Sequence, residues 1–212
     1  MDQEKLTMVI TQVLHRLEDA PYVVCNVSNR HIHLSQEDLE ILFGRGSALK
    51  PMRNLLQPGQ YACEETVSAI GPKGKRIDKI RVLGPLRGAT QLELSLTDTF
   101  TLGIPCPVNE SGNLDGAGKV KIENPLTGAS VERSCGIVAL RHSHLCPETA
   151  GKFGLKDKQI VSLEFNNGRK RRTVFGDVLL RVSDAFVDEV HLDTDEANAA
   201  AVKNGDLALI IP

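Results

Sequence analysis

Several features that would narrow the function at once are missing from this sequence. Positive charge is not in excess, because 25 Lys and Arg residues stand against 27 Asp and Glu residues, a net charge of -2. A nucleic-acid-binding surface is therefore not indicated. We find no signal peptide and no apolar run long enough to cross a bilayer, so neither secretion nor a membrane span is expected.

Cysteines are few and show no ordered spacing. The five residues are odd in number and contain no Cys-x-x-Cys pair: Cys25, Cys63, Cys106, Cys135 and Cys146. This arrangement is typical of free thiols in a reducing compartment, so we expect a cytosolic protein without disulfides.

The composition is otherwise that of an ordinary soluble globular protein. Hydrophobic residues make up 41% and charged residues 25% of 212 residues, enough for one large core or two small ones. The dense basic run at 169–172 follows Asn166-Asn167-Gly168 and predicts a solvated hairpin tip, with binding of an anionic ligand as the alternative.

The chain begins with a helical pattern and then changes to short β-rich runs. Residues 1–19 place apolar side chains at i, i+3, i+4 and i+7, which predicts an amphipathic helix that either packs on its own domain or binds a partner. Further helices are predicted only at 36–43, 147–153 and 195–203. Strand-like runs, including one at 90–96, and dense turn motifs between them predict small β-barrels.

One pattern, Arg-His-x-His-Leu-x-x-Glu, occurs twice, beginning at Arg30 and at Arg141, and uses four of the six histidines. Each copy reads as a strand followed by a helix start, marked by a Ser35 cap in the first copy and by Pro147 in the second. The repeat predicts a mainly β protein with two small β-barrel domains, capped by short helices and related by internal duplication. We expect the halves at 20–132 and 133–212, with the turn-rich stretch 101–130 connecting them.

Each repeated histidine pair is a candidate metal clamp. Residues i and i+2 of a strand point to the same face, so His31 projects with His33 and His142 with His144. A lone histidine is usually a core group with its hydrogen bonds satisfied, but a pair that occurs twice favours divalent metal binding.

A catalytic zinc site usually has three protein ligands, so each pair needs a third. His191, at a strand end, is the remaining downstream histidine. The first pair needs a carboxylate, and Glu93 is the best candidate because it shares a strand face with Gln91 and Ser95. The alternative for Glu93 is an exposed strand acid opposite a lysine.

Arg87 precedes a glycine a few residues before Glu93, a setting that suits bidentate capture of phosphate. The alternative is an ordinary surface arginine. Arg30 and Arg141 point to the face opposite the histidines, so we expect structural roles for them.

A different metal fold also fits part of the first repeat. His31, His33 and Glu37 match the spacing of the first cupin motif, which would indicate a single-metal oxygenase or isomerase. The second cupin motif is absent, however, and helix capping accounts for Glu37 and for the equivalent Glu148. A non-catalytic, metal-stabilised assembly module is a further alternative.

The sequence resembles the PduL-type phosphate propanoyltransferases (phosphotransacylases). The resemblance spans nearly the whole chain, and the motifs that carry it are VSNRHIHLSQEDLEILFG, GPLRGATQLELSLTD, TLGIPCPVNESGNL, RHSHLCPETAGKFGLKDKQIV and VHLDTDEANAA. It implies two barrels with a dinuclear zinc site between them, and a first strand at 22–29 that joins the C-terminal barrel. The implied metal ligands are His31, His33 and Glu93 for one zinc, and His142, His144 and His191 for the other.

The resemblance also implies an activity and a location. The reaction would convert propanoyl-CoA or acetyl-CoA and phosphate reversibly into acyl phosphate and CoA, with Arg87 as the phosphate-binding and catalytic residue. No covalent enzyme intermediate is required, although Cys146 lies close enough to His144 in sequence to be worth testing. The segment 1–19 resembles an encapsulation helix, which implies a shell or core partner, the lumen of a bacterial microcompartment and propanediol degradation.

Overall fold

The computed structural model describes residues 19–212. Over this range the chain is mainly β, with fourteen strands and four short helices. The predicted fold class is therefore confirmed. The amphipathic helix predicted for residues 1–19 lies outside the described residues except for Asp19.

The strands and helices follow one another in this order along the described chain. The strands are β1 (Tyr22–Ser28), β2 (His31–His33), β3 (Pro51–Asn54), β4 (Tyr61–Ile70), β5 (Arg76–Gly84), β6 (Gln91–Leu94), β7 (Val108–Asn109), β8 (Gly118–Glu123), β9 (Ser130–Ala139), β10 (His142–Leu145), β11 (Ile160–Phe165), β12 (Thr173–Val182), β13 (Glu189–Asp193) and β14 (Leu207–Ile211). The helices are α1 (Gln36–Phe43), α2 (Leu96–Leu102), α3 (Pro147–Lys152) and α4 (Thr194–Ala200).

The elements form two compact units. The first contains Ser28–Leu140 and the short segment Asp193–Asp195, and the second contains the described residues up to Val27, Arg141–Leu192 and Glu196–Pro212. The predicted division between 132 and 133 falls inside strand β9.

Each unit contains a closed ring of six strands. In the first unit the ring runs β4-β5-β2-β6-β9-β8, and β8 pairs back onto β4. In the second unit it runs β1-β13-β10-β12-β11-β14 and closes from β14 to β1. We call these rings barrel 1 and barrel 2. Closure leaves neither ring with an unpaired edge.

The two barrels repeat one topology. In barrel 1 the strand with the histidine pair, β2, lies parallel to β5 and antiparallel to β6. In barrel 2 the equivalent strand β10 lies parallel to β12 and antiparallel to β13. The internal duplication predicted from the repeated motif is therefore visible in the strand pairing.

The strand that precedes each histidine pair belongs to the opposite barrel. β1 leads directly into β2 of barrel 1, yet it pairs with β14 in barrel 2 through Tyr22 to Val24. β9 leads directly into β10 of barrel 2, yet it pairs with β6 and β8 in barrel 1. β1 is therefore distant in sequence from the rest of barrel 2, whereas β9 follows β8 directly within barrel 1.

Each barrel has its own apolar core. Barrel 1 packs fully buried side chains such as Ile32, Leu92 and Ile122, and barrel 2 packs Leu163 and Phe165. Burial of each large apolar side chain contributes roughly 1.5 to 3 kcal/mol. Among residues 19–212, no helix has the length and apolar character needed to cross a bilayer.

Two expectations about local structure were wrong. The run 90–96 was expected to be one strand, but β6 ends at Leu94 because Ser95 and Asp98 form a capping box that starts helix α2, which ends at the left-handed Gly103. The stretch 101–130 was expected to connect the halves. It instead contains β7 and β8. In β8 the buried Val120 and Ile122 alternate with the exposed Lys119 and the partly exposed Lys121 and Glu123, and β8 closes barrel 1.

Candidate metal centres

In barrel 1, strands β2 and β6 bring together three side chains that could hold a metal ion. Antiparallel pairing places His31 opposite Glu93, and His33 lies two residues further along the same face of β2. The potential ligand atoms of the three residues lie within 4.8 Å of one another, and all three residues are buried. We call them the His₂Glu group.

Barrel 2 builds a second group by the same pairing. β10 and β13 place His142 opposite His191, and His144 lies on the same face of β10. The potential ligand atoms again lie within 4.8 Å of one another. We call these three residues the His₃ group. The structure thus brings each predicted third ligand to its own histidine pair.

Burial keeps one histidine of each group neutral. Burial, together with nearby His31 and Arg87, lowers the pKa of His33 from 6.5 to about 3. Burial and the other two rings of the His₃ group lower the pKa of His144 from 6.5 to about 2. Metal ligation requires an unprotonated imidazole, so both rings are in the ligand form at neutral pH.

Glu93 is ionised in spite of its burial. Burial by itself would raise the pKa of this carboxyl, but His31 and several hydrogen bonds hold the pKa well below 4.5. The Glu93 Oε2 atom lies 3.5 Å from His31 Nε2. Burial alone would lower the pKa of His31, but this carboxylate raises it. A cation at this group therefore competes with a proton for the same pair.

The ring nitrogens show whether these groups fit a cation. In the described chain, Nδ1 of His33 and both ring nitrogens of His144 are buried without a hydrogen-bond partner. Nε2 of His191 makes no aligned hydrogen bond either, although Glu189 Oε2 lies 3.2 Å away. Buried polar atoms are rarely left without partners, and a ligated cation is a standard exception. The two donor sets fit zinc.

The Glu93 carboxylate is held by neighbours that sequence reasoning did not assign to the site. Its Oε1 atom accepts hydrogen bonds from Gln91 Nε2 at 2.6 Å and from Ser111 Oγ at 2.8 Å. Gln91 could have been found, because it shares the strand face of Glu93. Ser111 carries no comparable signal, since it follows β7 and reaches Glu93 only through the fold.

Arg87 lies beside the His₂Glu group. Its guanidinium Nη1 donates to Ser111 Oγ at 3.2 Å, and its charge contributes to the lowered pKa of His33. The backbone N–H of Arg87 donates to the carbonyl of Leu34, which fixes the loop next to β2. A cavity of about 470 Å³ in the first unit is lined by Arg87 and Arg133, among other residues.

The remaining arginines of interest have structural partners. Arg30 pairs with Asp98 at 2.9 Å and Arg141 pairs with Glu196 at 2.6 Å, as expected for side chains on the face opposite the histidines. The basic run lies in the predicted hairpin between β11 and β12. Within this run, Arg169 forms a bidentate ion pair with Asp206, which lies just before β14.

All five cysteines are free thiols. Burial is the largest cause that raises the pKa of Cys25 and Cys135 to about 12, and that of Cys63 and Cys106 to about 11. These four thiols are therefore protonated and poor nucleophiles at neutral pH. Cys146 is half-buried at the start of helix α3, where it is the N-cap residue without a side-chain cap hydrogen bond.

Comparison with known proteins places this chain among enzymes of the acyltransferase class. Residues 24–203 match the sequence model of the family described as phosphate propanoyltransferase. This chain belongs to the phosphate propanoyltransferase family, as its resemblance in sequence predicted.

Similar proteins of the same printed name cover almost the full chain. The phosphate propanoyltransferase of Thermotoga maritima is 48% identical over 202 residues, which is 95% of both chains. Those of Clostridioides difficile and Rhodopseudomonas palustris are 42% and 44% identical and cover 97% and 99% of this chain, and 97% and 98% of their own. The cupin alternative is not supported, because helix α1 follows the first histidine pair and Glu37 is its exposed first-turn acid.

Proposed function

We propose that this protein is a phosphate acyltransferase that converts a short-chain acyl-CoA and phosphate reversibly into acyl phosphate and CoA. Membership of the family and the printed name of the relatives support propanoyl-CoA as the acyl donor, with acetyl-CoA as the alternative. In the forward direction a phosphate oxygen bonds to the thioester carbonyl carbon, the carbon–sulfur bond breaks, and CoA leaves as the thiolate. No covalent bond to the protein is needed.

The observation that carries the proposal is the pair of three-ligand groups at equivalent register. One ion for each group gives two zinc ions per chain, held by His31, His33 and Glu93 in barrel 1 and by His142, His144 and His191 in barrel 2. When bound, zinc supplies positive charge that stabilises a developing oxyanion or thiolate. The chain contributes the rings of His33 and His144, which burial keeps neutral, and the ionised carboxylate of Glu93.

Arg87 is the proposed phosphate-binding and catalytic residue. A guanidinium binds two phosphate oxygens at once and stays charged at any physiological pH. Its hydrogen bond to Ser111, which also donates to Glu93, ties its position to the His₂Glu group. The same positive charge offsets the repulsion between phosphate and the anionic CoA substrate.

Residues 1–19 are proposed to bind a shell or core protein of a bacterial microcompartment, which would place the enzyme in its lumen and connect it with propanediol degradation. The amphipathic spacing of the segment supports this role. All six candidate ligands and Arg87 lie outside it.

Release of free CoA thiol from a ladder of acyl-CoAs, with phosphate present, tests the proposed function. We expect the fastest release from propanoyl- or acetyl-CoA, loss of release after zinc is removed by a chelator, and recovery when zinc is returned. Full turnover by a protein shown to contain no zinc would contradict the two-zinc proposal.

Metal content measured on single variants tests the ligand assignment. His142→Ala and His191→Ala should each reduce zinc from two ions to one per chain and remove almost all turnover. His15→Ala is the matched control, because His15 is the one histidine outside the two groups. Two zinc ions in both barrel 2 variants would contradict the assignment.

A further inference from the structure

The residue two positions before the third ligand occupies the same place in both barrels. In barrel 1, Gln91 lies opposite His33 on the paired strand. In barrel 2, Glu189 lies opposite His144. Residues i and i+2 share a strand face, so Gln91 projects beside Glu93 and Glu189 projects beside His191. Both side chains are buried, at 2% and 0% relative exposure.

The amide of Gln91 is oriented by its own partners. Its Oε1 atom accepts from the backbone N–H of Gly112 at 2.7 Å. Its Nε2 atom therefore points away from Gly112 and donates to Glu93 Oε1 at 2.6 Å and to Ser111 Oγ at 2.9 Å. One oxygen of Glu93 is thus held by donors, and its other oxygen lies on the side of His31.

Glu189 is a carboxylate in a place where an isolated charge would be costly. Its Oε1 atom accepts from Asn26 Nδ2 at 2.7 Å, and its Oε2 atom lies 3.2 Å from His191 Nε2. Glu189 does not belong to the three-residue His₃ group. It is therefore a carboxyl neighbour of that group, in contact with one of its rings.

We propose that Gln91 and Glu189 are equivalent positioning residues. Each contacts the third candidate ligand of its own barrel, and the type of each side chain is complementary to that ligand. Glu93 is an anion and is held by an amide donor, which steadies it without repulsion. His191 is an imidazole with the Glu189 carboxyl group 3.2 Å from its Nε2 atom, where the carboxyl group attracts a cation bound to the ring. Each centre then includes one carboxyl group: the candidate ligand Glu93 in barrel 1 and the neighbour Glu189 in barrel 2. Residues that hold metal ligands in this way typically change metal affinity 10- to 100-fold when replaced.

This inference rests on the two zinc sites of the proposed function. Zinc affinity is measured by competition with a chromogenic chelator, on full-length protein, alongside the melting temperature of the zinc-free form. We expect Glu189→Gln and Gln91→Glu each to weaken one of two zinc ions by about 10- to 100-fold. Glu132→Gln, which removes an exposed carboxylate, is the matched control and should leave both affinities unchanged.

Variants that lack one of the two zinc sites show in which barrel Glu189→Gln changes zinc affinity. In His142→Ala protein, where the remaining ion is in barrel 1, adding Glu189→Gln should have no further effect on zinc affinity. In His31→Ala protein the same substitution should retain its full effect. Unchanged zinc affinity with a lowered melting temperature of the zinc-free form would show a structural role and overturn the proposal.

A compensating pair tests the matching itself. Gln91→Glu places two carboxylates side by side when residue 93 is Glu, so zinc binding should weaken. With Glu93→His present, the same change recreates the Glu-x-His arrangement of β13, and zinc should bind more tightly than to Glu93→His alone. Equal effects of Gln91→Glu in both backgrounds would overturn the matching. A wild-type protein without zinc would instead contradict the proposed function.

Discussion

Individual side chains define the chemistry of each candidate centre through their surroundings. A histidine in water is partly protonated near neutral pH, but burial lowers the pKa of His33 to about 3 and that of His144 to about 2. Both rings therefore present a lone pair at any physiological pH. Glu93 is kept ionised by the opposite influence, since His31 and hydrogen bonds outweigh its burial.

Replacement of Arg87 should affect phosphate more than acyl-CoA. A lost charge-assisted hydrogen bond costs about 1.5 to 3 kcal/mol, so Arg87→Ala should raise the phosphate KM about 10- to 100-fold. Arg87→Lys should recover part of the loss, because lysine keeps the charge but not the bidentate geometry. Saturation kinetics with each substrate in turn measure this.

Arg45→Ala is the control for this experiment, because Arg45 is also flanked by glycine but lies in an exposed loop. Its KM values should match the wild type. Equal increases in both KM values for Arg87→Ala would show that Arg87 does not bind phosphate selectively.

The two copies of the repeated motif start their helices in different ways. Ser35 accepts from the backbone N–H of Asp38 at 3.1 Å and begins helix α1. The equivalent position before helix α3 is Cys146, which makes no side-chain cap hydrogen bond and is followed by Pro147. The sequence pattern predicted both helix starts correctly, because capping depends on residues only three positions apart.

Exchange of the cap residues should change stability in opposite directions. Ser35→Ala should lower the free energy of unfolding by about 0.5 to 2 kcal/mol, which corresponds to a fall in Tm of roughly 1 to 8 °C. Cys146→Ser supplies the missing acceptor and should raise Tm by a smaller amount. Thermal unfolding of the zinc-loaded variants measures both changes.

Cys146→Ser also tests the chemistry, since serine is a far weaker nucleophile than cysteine at neutral pH. We expect its rate of thiol release to stay within about twofold of the wild type. A loss of turnover with an unchanged zinc content would mean that Cys146 takes part in the reaction.

Over the whole chain, each barrel depends on a strand that lies beside the other barrel in sequence. β1 contributes the buried Val23 and Cys25 to the core of barrel 2 and pairs with β14. Removal of β1 would open the ring and leave unpaired strand edges, which are costly and prone to association.

Two N-terminal deletions separate these contributions. Deletion of residues 1–19 removes no described strand and no candidate ligand, so turnover, zinc content and Tm should be retained while association with a microcompartment is lost. Deletion of residues 1–28 also removes β1 and should abolish cooperative thermal unfolding of barrel 2 and with it one zinc. Loss of turnover in the shorter deletion would contradict the proposed role of the segment.

Local patterns in the sequence were sufficient to predict the fold class, two helix starts and the repeated histidine pairs of this protein. The two histidine pairs and the starts of helices α1 and α3 could be predicted, because strand and helix periodicity and caps act over a few residues. His191 and Glu93 were candidates by residue type and by the family resemblance, and the fold brings each of them to its histidine pair. The mainly β class followed from short runs between turns. Ser95 and Asp98 also mark the start of helix α2 locally, but the apolar alternation before them favours a longer strand.

Contacts between residues that are far apart in the sequence could not be predicted from these local patterns. The pairing of β8 with β4, the approach of Ser111 to Glu93 and the contact of Asn26 with Glu189 join segments whose proximity depends on how the rings close. Sequence periodicity tells which face of a strand is buried, but it does not tell which strand becomes its neighbour. The types and spacing of the ligand residues are thus a property of the sequence, whereas the partners that hold and charge them depend on the folded barrels.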